Sequence, residues 1–198
     1  MRLTVQRKLY GGFGATVALL LILGVIAYSS LASVTASTAD VSTSATMDDA
    51  AMSMIIALLE GMDTESMALI AGYDAELGTA FEESVVAFDD ALATLMTEGN
   101  ESVQAAATVA DGYHTEFQAA VLRTFELAQA GDIDAARVNS FSSTDSAIGS
   151  AFDALDGVET AVEAFGDDAL SSAESTSSTS ETLVIAISVI AVLAAAAI

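Results

Sequence analysis

The absence of proline from all 198 residues is the feature that most constrains this fold. Proline removes a backbone donor and kinks or breaks a helix, so a chain without it can form long uninterrupted helices. The abundance of alanine favours helices too. No stretch shows the alternation of apolar and polar residues that is typical of a strand. The sequence therefore predicts an all-α protein.

Charge is distributed very unevenly along the chain. Arg2, Arg7 and Lys8 are the only charged residues before Asp40, and all 28 acidic residues lie between Asp40 and Glu181. A surface this acidic repels itself at low ionic strength and is screened by salt. The composition indicates a halophilic, haloarchaeal protein and excludes a nucleic-acid partner.

Two apolar runs predict membrane helices. No charge occurs from Leu9 to Ala39, and this run holds roughly 20 apolar residues, enough to cross a bilayer. A cleaved signal peptide is the alternative, but the run is longer than a usual signal core and continues without a helix break. Residues 183–198, LVIAISVIAVLAAAAI, would rise about 24 Å as a helix, short of the roughly 30 Å of hydrocarbon. We therefore expect a truncated second span.

The basic N-terminal end sets the expected topology, because positive residues favour the cytoplasmic side of a membrane. The predicted organisation is a cytoplasmic N-terminus at 1–10, a first transmembrane helix at 11–33, an extracellular helical domain at 34–181 and a truncated second transmembrane helix at 182–198. We therefore expect a two-pass protein of the cell membrane.

Between the two runs, apolar residues recur at the spacing of amphipathic helices. The four stretches that show it contain Met47, Ala51, Met54, Leu58, Met62 and Leu69; Leu77, Phe81, Val85, Phe88, Leu92 and Leu95; Tyr113, Phe117, Val121 and Phe125; and Phe141, Ile148, Phe152, Leu155, Val158, Val162, Phe165 and Ala169. They predict an antiparallel up-down-up-down four-helix bundle on two transmembrane helices.

Three short segments separate these stretches and carry helix-ending residues. They are AGYDAE at 71–76, with Asp74 as an N-cap; TEGNES at 97–102, with Gly99 and Asn100 in a tight turn; and QAGDIDAA at 129–136, with Gly131 ending one helix and Asp132 capping the next.

Residues 29–46 and 171–182 are rich in serine and threonine. Their composition is typical of flexible linkers. Because neither contains proline or glycine, we predict that both are continuous helices. Flexible or glycosylated stalks are the alternatives.

Arg123 and Arg137 are the only positive charges of the acidic segment. A guanidinium group suits a carboxylate ligand, which makes both arginines candidate ligand-binding residues. Glu126 lies three residues after the first and Asp134 three residues before the second, so local ion pairs are the simpler interpretation.

Asn100 begins the triplet Asn-Glu-Ser, an N-glycosylation sequence, in a predicted external turn. It is the candidate modification site.

No set of residues suggests catalysis, and we expect no enzyme activity, no cofactor and no metal. The lack of cysteine excludes thiol catalysis and cysteine-based zinc sites. The single histidine, His114, is expected to be a surface or hydrogen-bonded bundle residue rather than a metal ligand. Adjacent acidic pairs are expected to form a solvated face rather than cation sites. These pairs are Asp48/Asp49, Glu82/Glu83, Asp89/Asp90 and Asp167/Asp168.

Two stretches of the chain resemble segments of a known receptor family. RKLYGGFGATVALLLILGV, with a basic residue, a leucine, a Gly-Phe pair and an aliphatic run, resembles the start of the first span of methyl-accepting chemotaxis receptors. ELAQAGDIDAARVNSFSSTDSAIGSAFDALDGVE is similar to the junction of the third and fourth helices in their sensory bundle. With its acidic composition, the chain resembles a haloarchaeal transducer over essentially its whole length.

This resemblance implies a homodimer whose external bundle detects a small molecule or a ligand-loaded binding protein. The signal would pass through the fourth helix and the second span to a cytoplasmic region that controls a histidine kinase, and that region is absent from this sequence. The best-known amino-acid receptors of the family hold their ligand with arginines on the first helix, and this chain has none there. The alternatives are the sensory region of a membrane histidine kinase and a membrane-anchored structural surface protein.

Overall fold

The computed structural model describes the backbone of residues 5–196 and the side chains of residues 21–175, 178–179 and 182–187. The side chains of the predicted N-terminus at 1–10, of the first part of the predicted span at 11–33 and of most of the predicted span at 182–198 lie outside the described residues.

Every element in the described part of the chain is helical, which confirms the all-α prediction. In chain order the elements are α1 (Val5–Ala71), α2 (Ala75–Glu98), α3 (Glu101–Gln129), α4 (Ile133–Asn139), a π-helical segment (Ser140–Thr144) and α5 (Asp145–Ala196).

The three predicted breaks end and start helices by local hydrogen bonding. Asp74, Asn100 and Asp132 are the N-caps of α2, α3 and α4. Their side-chain oxygens accept the backbone N–H three residues further on, at 2.9, 3.0 and 3.1 Å respectively. Gly72 and Gly131 precede two of these caps in the left-handed conformation, with φ of 91° and 82°. The predicted break positions are confirmed.

The segments 29–46 and 171–182 are helical throughout, as predicted, within α1 and α5. Several of their described hydroxyl groups bond to carbonyls one turn earlier. Ser30, for example, donates to the carbonyl of Ile26 at 2.8 Å. These hydroxyl groups are thereby satisfied within the helix itself, so their presence does not break it.

The chain divides into two compact units, one of Met1–Val41 with Asp167–Ile198 and one of Ser42–Gly166. In the second unit, α1, α2, α3 and α5 share one apolar core. Its largest fully buried apolar side chains are Met47, Met54, Leu58, Phe88, Leu95, Val103, Phe117, Val121, Leu155, Val158 and Val162.

Two aromatic residues that were predicted to face the core do not. Phe141 is 75% exposed because it lies in the π-helical segment, whose wider turn moves it off the face of Ile148. Tyr113 is 36% exposed, and its neighbour His114 is buried instead. His114 continues the heptad spacing of buried residues on α3, which Tyr113 does not.

Within the described residues, one helical stretch, Leu21–Ala71, is long and apolar enough to cross a membrane. Only 6% of the most apolar 18-residue window of this stretch is buried inside the protein. A short buried core helix would be covered far more fully. By length and composition, this stretch is compatible with membrane association.

Candidate functional site

A cavity of about 300 Å³ opens in the unit Ser42–Gly166, beside α1, α4, the π-helical segment and the start of α5. Apolar side chains such as Met62, Leu69 and Ile148 line part of it, and Glu65 and Arg137 line another part. Small-molecule sites in proteins combine an apolar wall with a few polar groups and begin at about this volume. The cavity can therefore hold a small molecule.

Glu65 of α1 is the most unusual residue of the cavity wall, because its carboxylate is buried with only 4% exposure. Three hydroxyl groups donate to it. Thr124 and Thr144 donate to Oε1 at 2.6 and 2.7 Å, and Ser140 donates to Oε2 at 3.1 Å. A buried carboxylate is costly unless it is hydrogen-bonded. Among the described residues, hydroxyl groups rather than a basic side chain offset the free-energy cost of burying the Glu65 carboxylate.

A second layer of hydrogen bonds extends this network. The Asn139 side chain donates to the Thr124 hydroxyl at 3.1 Å and to the carbonyl of Ala120 at 2.8 Å. No buried side-chain nitrogen or oxygen in the described part of the chain lacks a partner. A fully satisfied buried network favours a single arrangement of the helices that contribute to it. These helices are α1, α3, α4 and the π-helical segment.

The two candidate arginines have different environments. Arg123 donates to Glu126 at 2.8 Å on an exposed part of α3, so the expected local ion pair is confirmed there. The prediction of an ion pair between Arg137 and Asp134 is wrong. The pair of Arg123 with Glu126 is the only ion pair among the described residues. Arg137 instead lines the cavity.

Asn100 is exposed, and its side-chain oxygen accepts the N–H of Val103 as the cap of α3. Glycosylation there stays a prediction.

Glu65 is the residue that the sequence analysis missed. The spacing of Glu65 indicates burial, because it lies on the same helix face as three apolar residues. These residues, at the spacing of a buried face, are Leu58, Met62 and Leu69. A carboxylate at such a position needs buried donors, and the threonine and serine residues that supply them are 59 to 79 residues away in sequence. The position was therefore predictable, whereas its partners were not.

His114 is a buried, hydrogen-bonded bundle residue, as predicted. The Gln118 side-chain nitrogen lies 3.1 Å from its Nδ1 atom, and its ring stacks on Phe88 with centroids 3.5 Å apart. Burial lowers the pKa of His114 to about 4, so the imidazole is neutral at pH 7.

No family model, no curated protein and no solved structure matches this chain. The resemblance to chemotaxis receptors therefore rests on the motifs in the sequence.

Proposed function

We propose that this chain is the sensory and transmembrane part of a chemotaxis transducer, which detects an extracellular signal and passes it to a cytoplasmic kinase-controlling region. The observation that carries the proposal is the cavity beside Glu65 and Arg137. Its walls include α1 and α5, the two helices that also contain the apolar runs at the ends of the chain. A ligand in this cavity would contact both helices at once.

The proposed architecture is an antiparallel up-down-up-down four-helix bundle on two transmembrane helices. Connections of two or three residues between α1, α2, α3 and α4 support it, because short connections join antiparallel neighbours in bundles. The proposed topology is two-pass, with a cytoplasmic N-terminus and residues 34–181 outside, and it rests on the basic N-terminal end.

The proposed mechanism is a shift between two arrangements of the bundle. A ligand changes the population of the arrangements only as far as it binds one of them better. A ligand that contacts Arg137 and the hydroxyl groups around Glu65 would favour one position of the π-helical segment. The helix α5 continues directly from that segment, and a displacement of about 1–2 Å is the usual scale of helix-shift switches.

The proposed partner is a second copy of the chain, in addition to the membrane and a small molecule or a ligand-loaded binding protein. An exposed apolar stripe on α1 supports the homodimer, since such a surface favours association. It consists of Met52, Ile56, Leu59, Met67 and Ile70, whose exposed fractions run from 47% to 82%.

A gene deletion tests the function. Cells without the protein should lose taxis toward at least one compound in a panel of amino acids and small carboxylates. The wild-type gene and an Arg123→Gln variant should restore the response. An Arg137→Gln variant should restore it only at a concentration about tenfold higher or more, since a hydrogen bond to a charged group contributes about 1.5–3 kcal/mol.

Arg123 is a matched control, because it is the only other arginine of the acidic segment and lies in an ion pair on the surface. An immunoblot with an antibody against residues 40–181 should detect a native band well above 20.1 kDa. A response that the deletion leaves intact across the whole panel, together with a native band near 20 kDa, would favour a structural surface protein instead.

A further inference from the structure

Three potential metal ligands lie close together on α2 and α3. They are Asp89 of α2 and Asp111 and His114 of α3. One ligand atom from each lies within 4.8 Å of those of the other two. Asp89 is exposed, Asp111 is half-buried and His114 is buried.

Stacking and burial hold the imidazole of His114 in place. Phe88 stacks on the ring at an interplanar angle of 23°, and the ring is only 2% exposed. A metal binds through a ring nitrogen of the neutral imidazole. The packing therefore fixes the position of the nitrogen donor.

Gln118 supplies the outer contact that metal-binding histidines usually have. Its side-chain nitrogen lies 3.1 Å from Nδ1 and 3.4 Å from Nε2 of His114. The two ends of an amide are interchangeable by rotation of the terminal group. In the reversed orientation the amide oxygen accepts a ring N–H and leaves the other ring nitrogen free to bind a cation.

Among the described residues, neither carboxylate has a basic partner. The ligand oxygens of Asp89 and Asp111 lie within 4.8 Å of each other, so their negative charges repel. Neither Asp89 nor Asp111 takes part in the one ion pair that the described residues form. A divalent cation between them would remove this repulsion.

We propose that Asp89, Asp111 and His114 form a binding site for a divalent transition-metal ion, with Zn²⁺ as its representative. One imidazole nitrogen and two carboxylate oxygens suit zinc-like ions, whereas magnesium and calcium prefer oxygen ligands alone. Ligand atoms around such an ion lie about 3.3 Å apart, from metal–ligand distances near 2.0–2.1 Å. The ligand atoms, which lie within 4.8 Å of one another, would close in by up to about 1.5 Å, and neither carboxylate is fully buried, which permits it. This site joins α2 to α3 and is independent of the proposed sensory function.

The test is calorimetric titration of the purified full chain with zinc chloride, after EDTA treatment and in a chelator-free buffer with high potassium chloride and excess Mg²⁺. The wild type should bind one Zn²⁺ per chain. Asp89→Asn and Asp111→Asn should each raise the Kd about tenfold or more. Asp90→Asn is the matched control, because it removes the same charge next to the site and should change the Kd less than about twofold.

Three results would overturn the proposal. The first is the absence of saturable binding at one ion per chain. The second is an equal loss of affinity in Asp90→Asn, which would indicate general attraction of cations by an acidic surface. The third is undiminished zinc binding by a His114→Phe variant that keeps the wild-type circular dichroism. If that variant does not fold, the two aspartate variants decide the question, because neither residue is fully buried.

Discussion

At the scale of single residues, Glu65 shows how an acidic chain can place a carboxylate inside its core. Within the described part of the chain, all of the hydrogen bonds to its side chain come from hydroxyl groups, which lie on α3 and on the π-helical segment. Hydroxyl groups donate without bringing a charge, so the site needs no buried cation. The energetic importance of Glu65 therefore lies in the donors that it satisfies.

Glu65→Ala should lower the free energy of unfolding by about 1–3 kcal/mol, because it leaves buried hydroxyl donors without their acceptor. Glu65→Gln retains an oxygen acceptor and should lower the free energy of unfolding by less than Glu65→Ala does. Urea unfolding followed by circular dichroism in high-salt buffer measures both. The control is Glu60→Ala, an exposed residue of the same helix, which should change stability by no more than about 0.5 kcal/mol. Equal effects of Glu60→Ala and Glu65→Ala would contradict the role of the network.

His114 should make the fold sensitive to acid. Its pKa is about 4 in the folded chain and 6.5 in the unfolded chain, so only the unfolded chain takes up a proton as pH falls from about 6.5 to 4. Stability is therefore full above pH 6.5 and falls through this window. Between pH 7.5 and 5 the loss should be about 2 kcal/mol.

The comparison with His114→Phe, in EDTA, isolates this effect. Asp89 acts in the opposite direction, because its raised pKa adds stability as pH falls, and it is present in both proteins. The wild type should lose more stability than the variant over the same range. Parallel pH profiles of the two proteins would show that His114 does not titrate as described.

At the scale of helices, the sequence predicts those features that depend on residues close to one another in the chain. The breaks at Asp74 and Asp132 follow from side chains that cap the backbone within three residues, so a short window contains all the information. The π-helical segment has no such local signature. Phe141 was consequently placed on the wrong face, and the hydroxyl cluster around Glu65 could not be assembled from the sequence.

The apolar stripe on α1 gives a prediction about the dimer. A Leu59→Cys variant should form a disulfide-linked dimer in membranes under mild oxidation, since residues at a symmetric seam approach their own copies. The chain contains no cysteine, so the introduced thiol is its only one. Non-reducing electrophoresis should show a band at twice the monomer mass. Thr115→Cys, on the exposed face of α3, should remain monomeric; equal cross-linking at both positions would point to random collision.

At the scale of the whole molecule, the excess of acidic residues governs the conditions under which the fold is stable. The formal net charge is −23, and most acidic side chains in the described helices have no basic partner. The resulting repulsion acts between exposed groups, and salt shortens its range from about 30 Å at 0.01 M to about 3 Å at 1 M. Burial of the apolar core therefore has to outweigh the electrostatic repulsion between the acidic surfaces of the helices.

Thermal unfolding measured against potassium chloride concentration tests this balance. The midpoint should rise with salt in the wild type. It should rise less in a variant with Glu82→Gln, Glu83→Gln, Asp167→Asn and Asp168→Asn, all at exposed positions. Sucrose at matched osmolarity is the control, since it strengthens burial without screening charge. Identical salt dependence in the two proteins would exclude self-repulsion as the main destabilising term.

The π-helical segment at Ser140–Thr144 also has a consequence for how this chain changes in evolution. A π turn accommodates an extra residue without altering the regular helix on either side. A related gene with one codon fewer within this segment could keep α5 intact while losing the hydroxyl donors of the segment to Glu65. Gaps that cluster at these five positions in an alignment would then mark a change in what the bundle holds, while the lengths of its other helices stay constant.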